Sequence, residues 1–236
     1  MFVSRKASFR RVLLEGENII LGPTSIGDCS ILGRGVILGY PCRSSLKEKL
    51  DWSKGKDFDL STYDSMSAGA KLGNDSTIRP GTVIYERVSA GTNLETGHNV
   101  LIREDTTISD RVRVGSSTII DGKVVIGSRV SIQSRVYLPP MTTIEDDVFL
   151  APCVTVTNDR YPESRKLTGV TIKRGAIIGA NAVLVAGITV GEEAVVAAGA
   201  TVTRSVAPGS VVIGIPARQK MTVEEYRRKR LDYEKA

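Results

Sequence analysis

Between Leu101 and Val156 the sequence reads LIREDTTISDRVRVGSSTIIDGKVVIGSRVSIQSRVYLPPMTTIEDDVFLAPCVTV. Every sixth residue is aliphatic, from Ile102 through Ile108, Val114, Ile120, Ile126, Ile132, Leu138, Ile144 and Leu150 to Val156. A second column, two residues before the next aliphatic, is small or β-branched: Thr106, Val112, Thr118, Val124, Val130, Val136, Thr142, Val148 and Val154. An α-helix needs apolar residues at mixed three- and four-residue spacing, and a lone strand alternates by two, so a strict six fits neither. It fits short strands joined by tight turns, with each aliphatic pointing inward and Gly, Asn or Asp handling the corners.

The register extends in both directions. Upstream it holds at Leu72, Ile78 and Ile84, with weak positions at Ala90 and Thr96, and an earlier run opens at Ile20, Ile26, Leu32 and Leu38. Downstream it resumes at Ile172, Ile178, Leu184, Val190, Val196 and Val202. Two stretches interrupt it, at about 40–70, which holds the only tryptophan, Trp52, and at 157–170 around NDRYPESRKLTG. Long loops on a repetitive scaffold are more often functional than accidental. The second interruption is the stronger candidate, since the first could simply cover the lower coils. After the last repeat, Thr222 and Glu225 form a capping-box pattern, which predicts a helix over 221–236 that closes the end of the array.

Composition narrows the function classes. The 236 residues suit one domain, and the formal net charge of +6 would attract anionic partners. The excess is spread thinly outside Arg227–Arg230, and such a run reads as a solvated helix face, so nucleic acid is not an expected partner. No segment approaches the ~18 apolar residues of a membrane span, and the N-terminal stretch lacks a signal-like apolar run, so the expected location is cytoplasmic. Three widely spaced cysteines, Cys29, Cys42 and Cys153, fit reduced thiols, and Cys29 and Cys153 are expected to be small packing residues within repeats.

From about Ile19 to Lys220 this pattern resembles the hexapeptide-repeat acyltransferases. The resemblance implies an all-β fold: a left-handed parallel β-helix over 1–220, three hexads per triangular coil, with the two loop excursions and a C-terminal α-helix over 221–236. It also implies a homotrimer with active sites between neighbouring prisms. The single histidine, His98, excludes the trimeric β-helix carbonic anhydrases, which need three for their metal, so no metal is expected. The 20-odd residues expected before the first coil leave no room for the nucleotide-binding domain of the β-helix pyrophosphorylases.

Within the family, the stretch from Ile144 to Pro162, IEDDVFLAPCVTVTNDRYP, looks like the nucleotide-sugar N-acetyltransferase branch. There a similar TND followed by Tyr-Pro opens the loop beside the acceptor. The thiogalactoside acetyltransferase branch begins its comparable loop with a catalytic histidine, where this chain has Asn158. An alcohol needs a base to attack a thioester, whereas a neutral sugar amine is already nucleophilic. Asn158 and Asp159 are therefore catalytic candidates with His98, and a simple Asn-Asp turn is the competing reading of the pair. Ser134 and Arg135, standing where the amino-sugar enzymes use an asparagine, join Arg160 and Tyr161 as candidate acceptor contacts. The segment IIGANAVLVAGITVGEEAVVAAGATVTRSV, followed by IPARQK, resembles the family's coenzyme A end. It implies donor contacts at Gly179, Ala180, Ala198, Gly199, Arg204 and Arg218, with acetyl-CoA as acyl donor.

Three functions follow. The first is acetyl transfer to an amino group of a nucleotide-linked sugar. The second is acyl transfer to a hydroxyl or an amino acid with His98 as base. The third is a non-catalytic β-helix assembly subunit.

Overall fold

The computed structural model describes residues 1–49 and 59–235, so Trp52 lies outside the described residues. Its strands, most of them two residues long, form three sheets of ten, nine and eleven strands. The first sheet runs from Phe2–Val3 to Thr201–Val202, the second from Ser8–Phe9 to Thr189–Val190, and the third from Leu13–Leu14 to Arg218–Thr222. Successive strands go to successive sheets, so the chain winds as a parallel β-solenoid. Leu101 pairs with Ile119 and Ile119 with Tyr137, Thr107 with Val125, and Arg113 with Ser131, which fixes the three-hexad coil.

Each strand from Ile19–Ile20 to Thr201–Val202 turns its second residue inward. Ile102, Ile120, Ile126 and Leu138 are fully buried in one continuous aliphatic core, and the weak positions Ala90 and Thr96 are buried with them. The second column lines the inside of the corners, where threonine is tolerated because its hydroxyl finds a carbonyl. Thr118 Oγ1 donates to the Gln133 carbonyl at 2.9 Å and Thr142 Oγ1 to the Pro139 carbonyl at 2.8 Å. Thr106 differs: its hydroxyl is buried with no partner among the described residues. An unsatisfied buried hydroxyl costs about 1–3 kcal/mol. Thr106→Val, which installs the residue found at Val100, Val112 and Val124, should therefore raise the thermal midpoint by a few degrees. A lowered midpoint in a melting experiment would show that the hydroxyl is bonded in solution.

The corners turn through left-handed backbone, as at Asp105 (φ 59°), Arg111 (φ 57°) and Ser117 (φ 58°) within one coil. Single residues accept this conformation at modest cost, and the long side chains placed there pair across coils, as Arg87 does with Asp105 and Arg129 with Asp147. Cys29 (φ 60°) and Cys153 (φ 62°) are corner residues of this kind, exposed and half-buried. They are not the packing residues expected from the repeat; Cys42 is the buried thiol.

Three departures from the sequence reading matter. The coils begin at Phe2 rather than near Ile19, and Phe2 pairs with Ile19 while Leu13 pairs with Ile31. The step from Phe9 to Leu14 is one residue short, which hid this coil from a strict six-residue search. The first excursion contains two short helices, Arg43–Lys49 and Leu60–Met66, laid against the first sheet, with Tyr63 on Tyr40 at 5.8 Å between ring centroids. It is pinned by Glu86, whose buried carboxylate accepts from Cys42 N at 3.0 Å, from Ala68 N at 2.8 Å and from the Ser45 hydroxyl, and pairs with Arg87 at 2.8 Å. Lastly, the chain adds an antiparallel strand, Arg218–Thr222, to the third sheet before the helix Val223–Lys235. The capping box is formed as expected: Thr222 N donates to Glu225 Oε2 at 2.8 Å and Glu225 N to Thr222 Oγ1 at 3.3 Å. Among the described residues no helix is long and apolar enough to cross a membrane.

Candidate functional site

The second excursion leaves the solenoid at the corner between the first and second sheets. Its neck is tied twice: Thr168 N donates to the Asn158 carbonyl at 2.8 Å, and Ala186 N donates to Thr157 Oγ1 at 2.9 Å. The Asn158 side chain is aimed down the corner, with Nδ2 donating to the Pro140 carbonyl at 3.4 Å. Asp159 spends both oxygens on the loop itself, accepting from Tyr161 N at 3.0 Å and from Ser164 N at 2.8 Å. This is the bonding of a turn organiser, and it engages both carboxylate oxygens within the loop. Arg160 reaches across to the Thr203 carbonyl at 3.3 Å, and the Tyr161 side chain is exposed.

His98 belongs to a different corner, between the third and first sheets. Ser117 N donates to the His98 carbonyl at 2.9 Å, Arg135 N to Ser116 O at 2.9 Å, Cys153 N to Ser134 O at 3.0 Å, Asn181 N to Pro152 O at 3.0 Å and Gly199 N to Ala180 O at 2.7 Å. These bonds stack His98, Ser116, Ser134, Pro152, Ala180 and Ala198 in one column, and the spacing in the sequence required its first four members. His98 is exposed, and its imidazole has no partner among the described residues. At ~4.8 Å per coil it lies three coils, or ~14 Å along the axis, below the coil that carries Pro152. Within one chain, then, His98, Ser134 and Arg135 are not brought together with Asn158, Asp159, Arg160 and Tyr161.

The donor candidates divide by cause. At Gly179 a Cβ would meet Ala198 N at 2.4 Å, so this glycine is required for coils to stack and needs no ligand to explain it. Gly199 has φ +68° and open space around the missing Cβ, and with Ala180 and Ala198 it leaves this corner bare of large side chains. The corner ends at the turn after Gly214, where Ala217 N donates to Thr201 O at 2.8 Å. Arg204 follows Thr201–Val202 on the corner between the first and second sheets, above the second excursion, and at this end of the solenoid it lines one cavity of about 250 Å³ with Arg218, Ser205 and Gln219. Neither guanidinium has a carboxylate partner among the described residues; Arg218 donates only to its neighbour's carbonyl at 2.9 Å. Two free guanidiniums around one cavity suit a phosphorylated ligand.

Residues 169–204, the coils that carry this corner, match the bacterial transferase hexapeptide (six repeats) family. The match covers two coils of the parallel β-solenoid, whose three-strand coils continue on both sides of it. Among solved structures it is similar to the hexapeptide-repeat acetyltransferase VCA0836 from Vibrio cholerae O1 biovar eltor complexed with acetyl coenzyme A, at 28% identity and TM-score 0.39, over 42% of this chain and 60% of that one. A variant of the N-acyltransferase AntD from Bacillus cereus, in complex with dTDP and coenzyme A, is similar at 20% identity and TM-score 0.40, over 58% of this chain and 91% of that one. The polySia-specific acetyltransferase NeuO is similar at 15% identity and TM-score 0.42, over 89% and 85%. No curated protein sequence matches the chain.

The six-residue period does not announce a polar network on the first sheet, in the coils below the second excursion. Tyr137 donates its hydroxyl to Asp121 at 3.0 Å, Arg103 pairs with Asp121 at 2.8 Å, and Arg103 also stands over the Tyr85 ring at 5.7 Å. Burial first, and then the bond to Asp121, hold the Tyr137 phenol above its ordinary value, so it stays protonated as a donor. The signal was present in the eighteen-residue spacing of Tyr85, Arg103 and Asp121, each next after an inward aliphatic, where the repeat leaves composition free.

Proposed function

We propose that this chain is an acyltransferase that takes an acetyl group from acetyl-CoA and delivers it to an amino group of a nucleotide-linked sugar. The observation that carries the reading is the occurrence on the same coils of the transferase-family match, the bare corner at Ala180, Ala198 and Gly199, and, at the end of the solenoid, a cavity lined by Arg204 and Arg218 without carboxylate partners among the described residues. The donor supplies a thioester carbonyl: attack by the amine forms the C–N bond, the C–S bond breaks, the thiolate leaves, and the amine's surplus proton passes to water. The chain's own work is to hold the donor phosphates, keep the pantetheine corner clear and position the acceptor through the loop that begins at Asn158.

A homotrimer accompanies this reading. The outer column of the first sheet is apolar, through Ile37, Val83, Leu101 and Ile119, and a neighbouring copy seated against it could bring one chain's loop to another chain's donor corner. The hydroxyl-acceptor reading retains one supporting observation: His98 is free and stands on the donor corner itself.

The test is a melting experiment with light scattering. A trimer mass and a rise in midpoint with acetyl-CoA are expected, since a ligand at 100 times its Kd adds about 2.7 kcal/mol. A monomer near 25 kDa whose midpoint ignores acetyl-CoA would support the non-catalytic assembly reading instead. Arg204→Ala and Arg218→Ala should each raise the Michaelis constant for acetyl-CoA about tenfold with little change in turnover, as expected when a charge-assisted contact of ~1.5 kcal/mol is lost. An unchanged constant in both would remove them from the donor site.

A further inference from the structure

The outer face of the third sheet carries a depression of about 350 Å³ that none of the residues assigned above explains. Its floor is bare because Gly97 and Gly115 stand there, each obliged to be glycine: a Cβ would come within 2.4 Å of the next coil. Along its length the strands place Glu95, Arg113, Ser131 and Phe149 in one outward column, one per coil, by the pairings Glu95 with Arg113, Arg113 with Ser131 and Ser131 with Phe149. Gln133 enters from the side and donates to Ser131 Oγ at 3.2 Å.

The order of these groups is chemically specific. Phe149, 37% exposed, presents a ring at one end. Gln133 offers an amide with a free oxygen beside it. Arg113 follows, and its guanidinium has no ion pair or hydrogen bond among the described residues although Glu95 is its cross-coil neighbour. Arg111, which lines the adjoining cavity together with Arg113 and Glu95, adds a second cation. Glu95 ends the row on the same coil as His98, so a group bound there lies beside the column that leads to Ala180 and Ala198.

We infer that this depression binds a nucleoside diphosphate, with the base on Phe149, its polar edge at Gln133, the phosphates at Arg113 and Arg111, and the attached sugar toward Glu95 and His98. Aromatic faces hold bases by stacking, guanidiniums take phosphates in bidentate fashion, and a carboxylate accepts sugar hydroxyls. The inference rests on the acceptor class proposed above and assigns that acceptor a place. Two nucleotides could supply this chemistry, the acceptor's and that of coenzyme A. Arg204 and Arg218, several coils away, already suit the donor's phosphates, which leaves this row for the acceptor.

The test is calorimetric titration of the whole protein with dTDP, UDP and GDP and, separately, with coenzyme A. The same titrations follow in Arg113→Ala and Phe149→Ala, exposed side chains whose loss leaves the core intact. At least one of the three diphosphates should bind the wild-type protein and weaken about tenfold in each variant, while coenzyme A affinity stays the same. A diphosphate that binds both variants with unchanged affinity overturns the placement and leaves the proposed acceptor class standing. Loss of coenzyme A binding in the variants also overturns it, by giving the depression to the donor. If coenzyme A binds and none of the diphosphates does, the acceptor class fails and the placement with it.

Discussion

Glu86→Ala should release the first excursion while leaving the coils wound. The carboxylate is fully buried and meets Cys42 N, Ala68 N, the Ser45 hydroxyl and Arg87. Removing one member of such a set strands the others and typically costs about 3–5 kcal/mol. The loss should be local, because every coil is still paired above and below and solenoid units depend mainly on their neighbours. Cys42, buried under the excursion, reports on it directly. If opening becomes easier by that amount, its rate of modification by a thiol reagent should rise on the order of 10²–10⁴-fold, with exposed Cys29 as an unchanged internal control. Equal Cys42 rates in variant and wild type would show that the excursion is held by its aromatic contacts instead.

The same group gives the excursion a pH dependence. Burial pushes the Glu86 carboxyl upward, but the bonds from Ser45, Ala68 and Cys42 outweigh it and bring it from 4.5 down to about 2. A carboxyl lowered in the folded state contributes stability that is complete above its unfolded value and is lost as pH falls through the folded one. Protection of Cys42 should therefore be constant above about pH 4.5 and decline from there toward pH 2.

This anchor shows why the periphery was less legible than the core. Ile102, Ile120 and Leu138 announce their burial by period alone, since each must fill the same inward position in every coil. Glu86 occupies the corner position taken by Glu104 one coil later, and nothing local distinguishes the two. What buries Glu86 is the return of residues from Cys42 to Ala68, more than 15 positions away in sequence. The short first coil was missed for a related reason, because one deleted corner residue breaks the period without breaking the pairing. Among the site residues, the column from His98 to Pro152 could be counted from the spacing. The same count sets Asn158 six residues, and so one corner, beyond Pro152, whereas the bonds that engage the Asn158 and Asp159 side chains could not be read from spacing. Gly179 shows the converse: a small residue that suits a ligand lane is fully accounted for by coil stacking.

That separation sharpens the choice of acceptor. Asp159 holds the loop through Tyr161 N and Ser164 N, so Asp159→Ala should loosen the residues that orient the acceptor without removing any group that takes a proton. Misplacement of this kind costs on the order of 100-fold in turnover, and Asp159→Asn, which keeps one acceptor oxygen, should recover part of it. If the acceptor is an amine, His98→Ala should cost little, because a neutral amine attacks a thioester without a base. The rate should then climb with pH as the acceptor's own ammonium loses its proton. A hydroxyl acceptor reverses the pattern: without the free imidazole of His98, attack should slow by on the order of 100-fold or more, while Asp159→Ala should leave turnover nearly intact. Steady-state kinetics on the two alanine variants, with an amino-sugar nucleotide and with its hydroxyl counterpart, separate the readings. Collapse of amine acetylation in His98→Ala beside a fully active Asp159→Ala would remove the role proposed for the loop and make His98 the base.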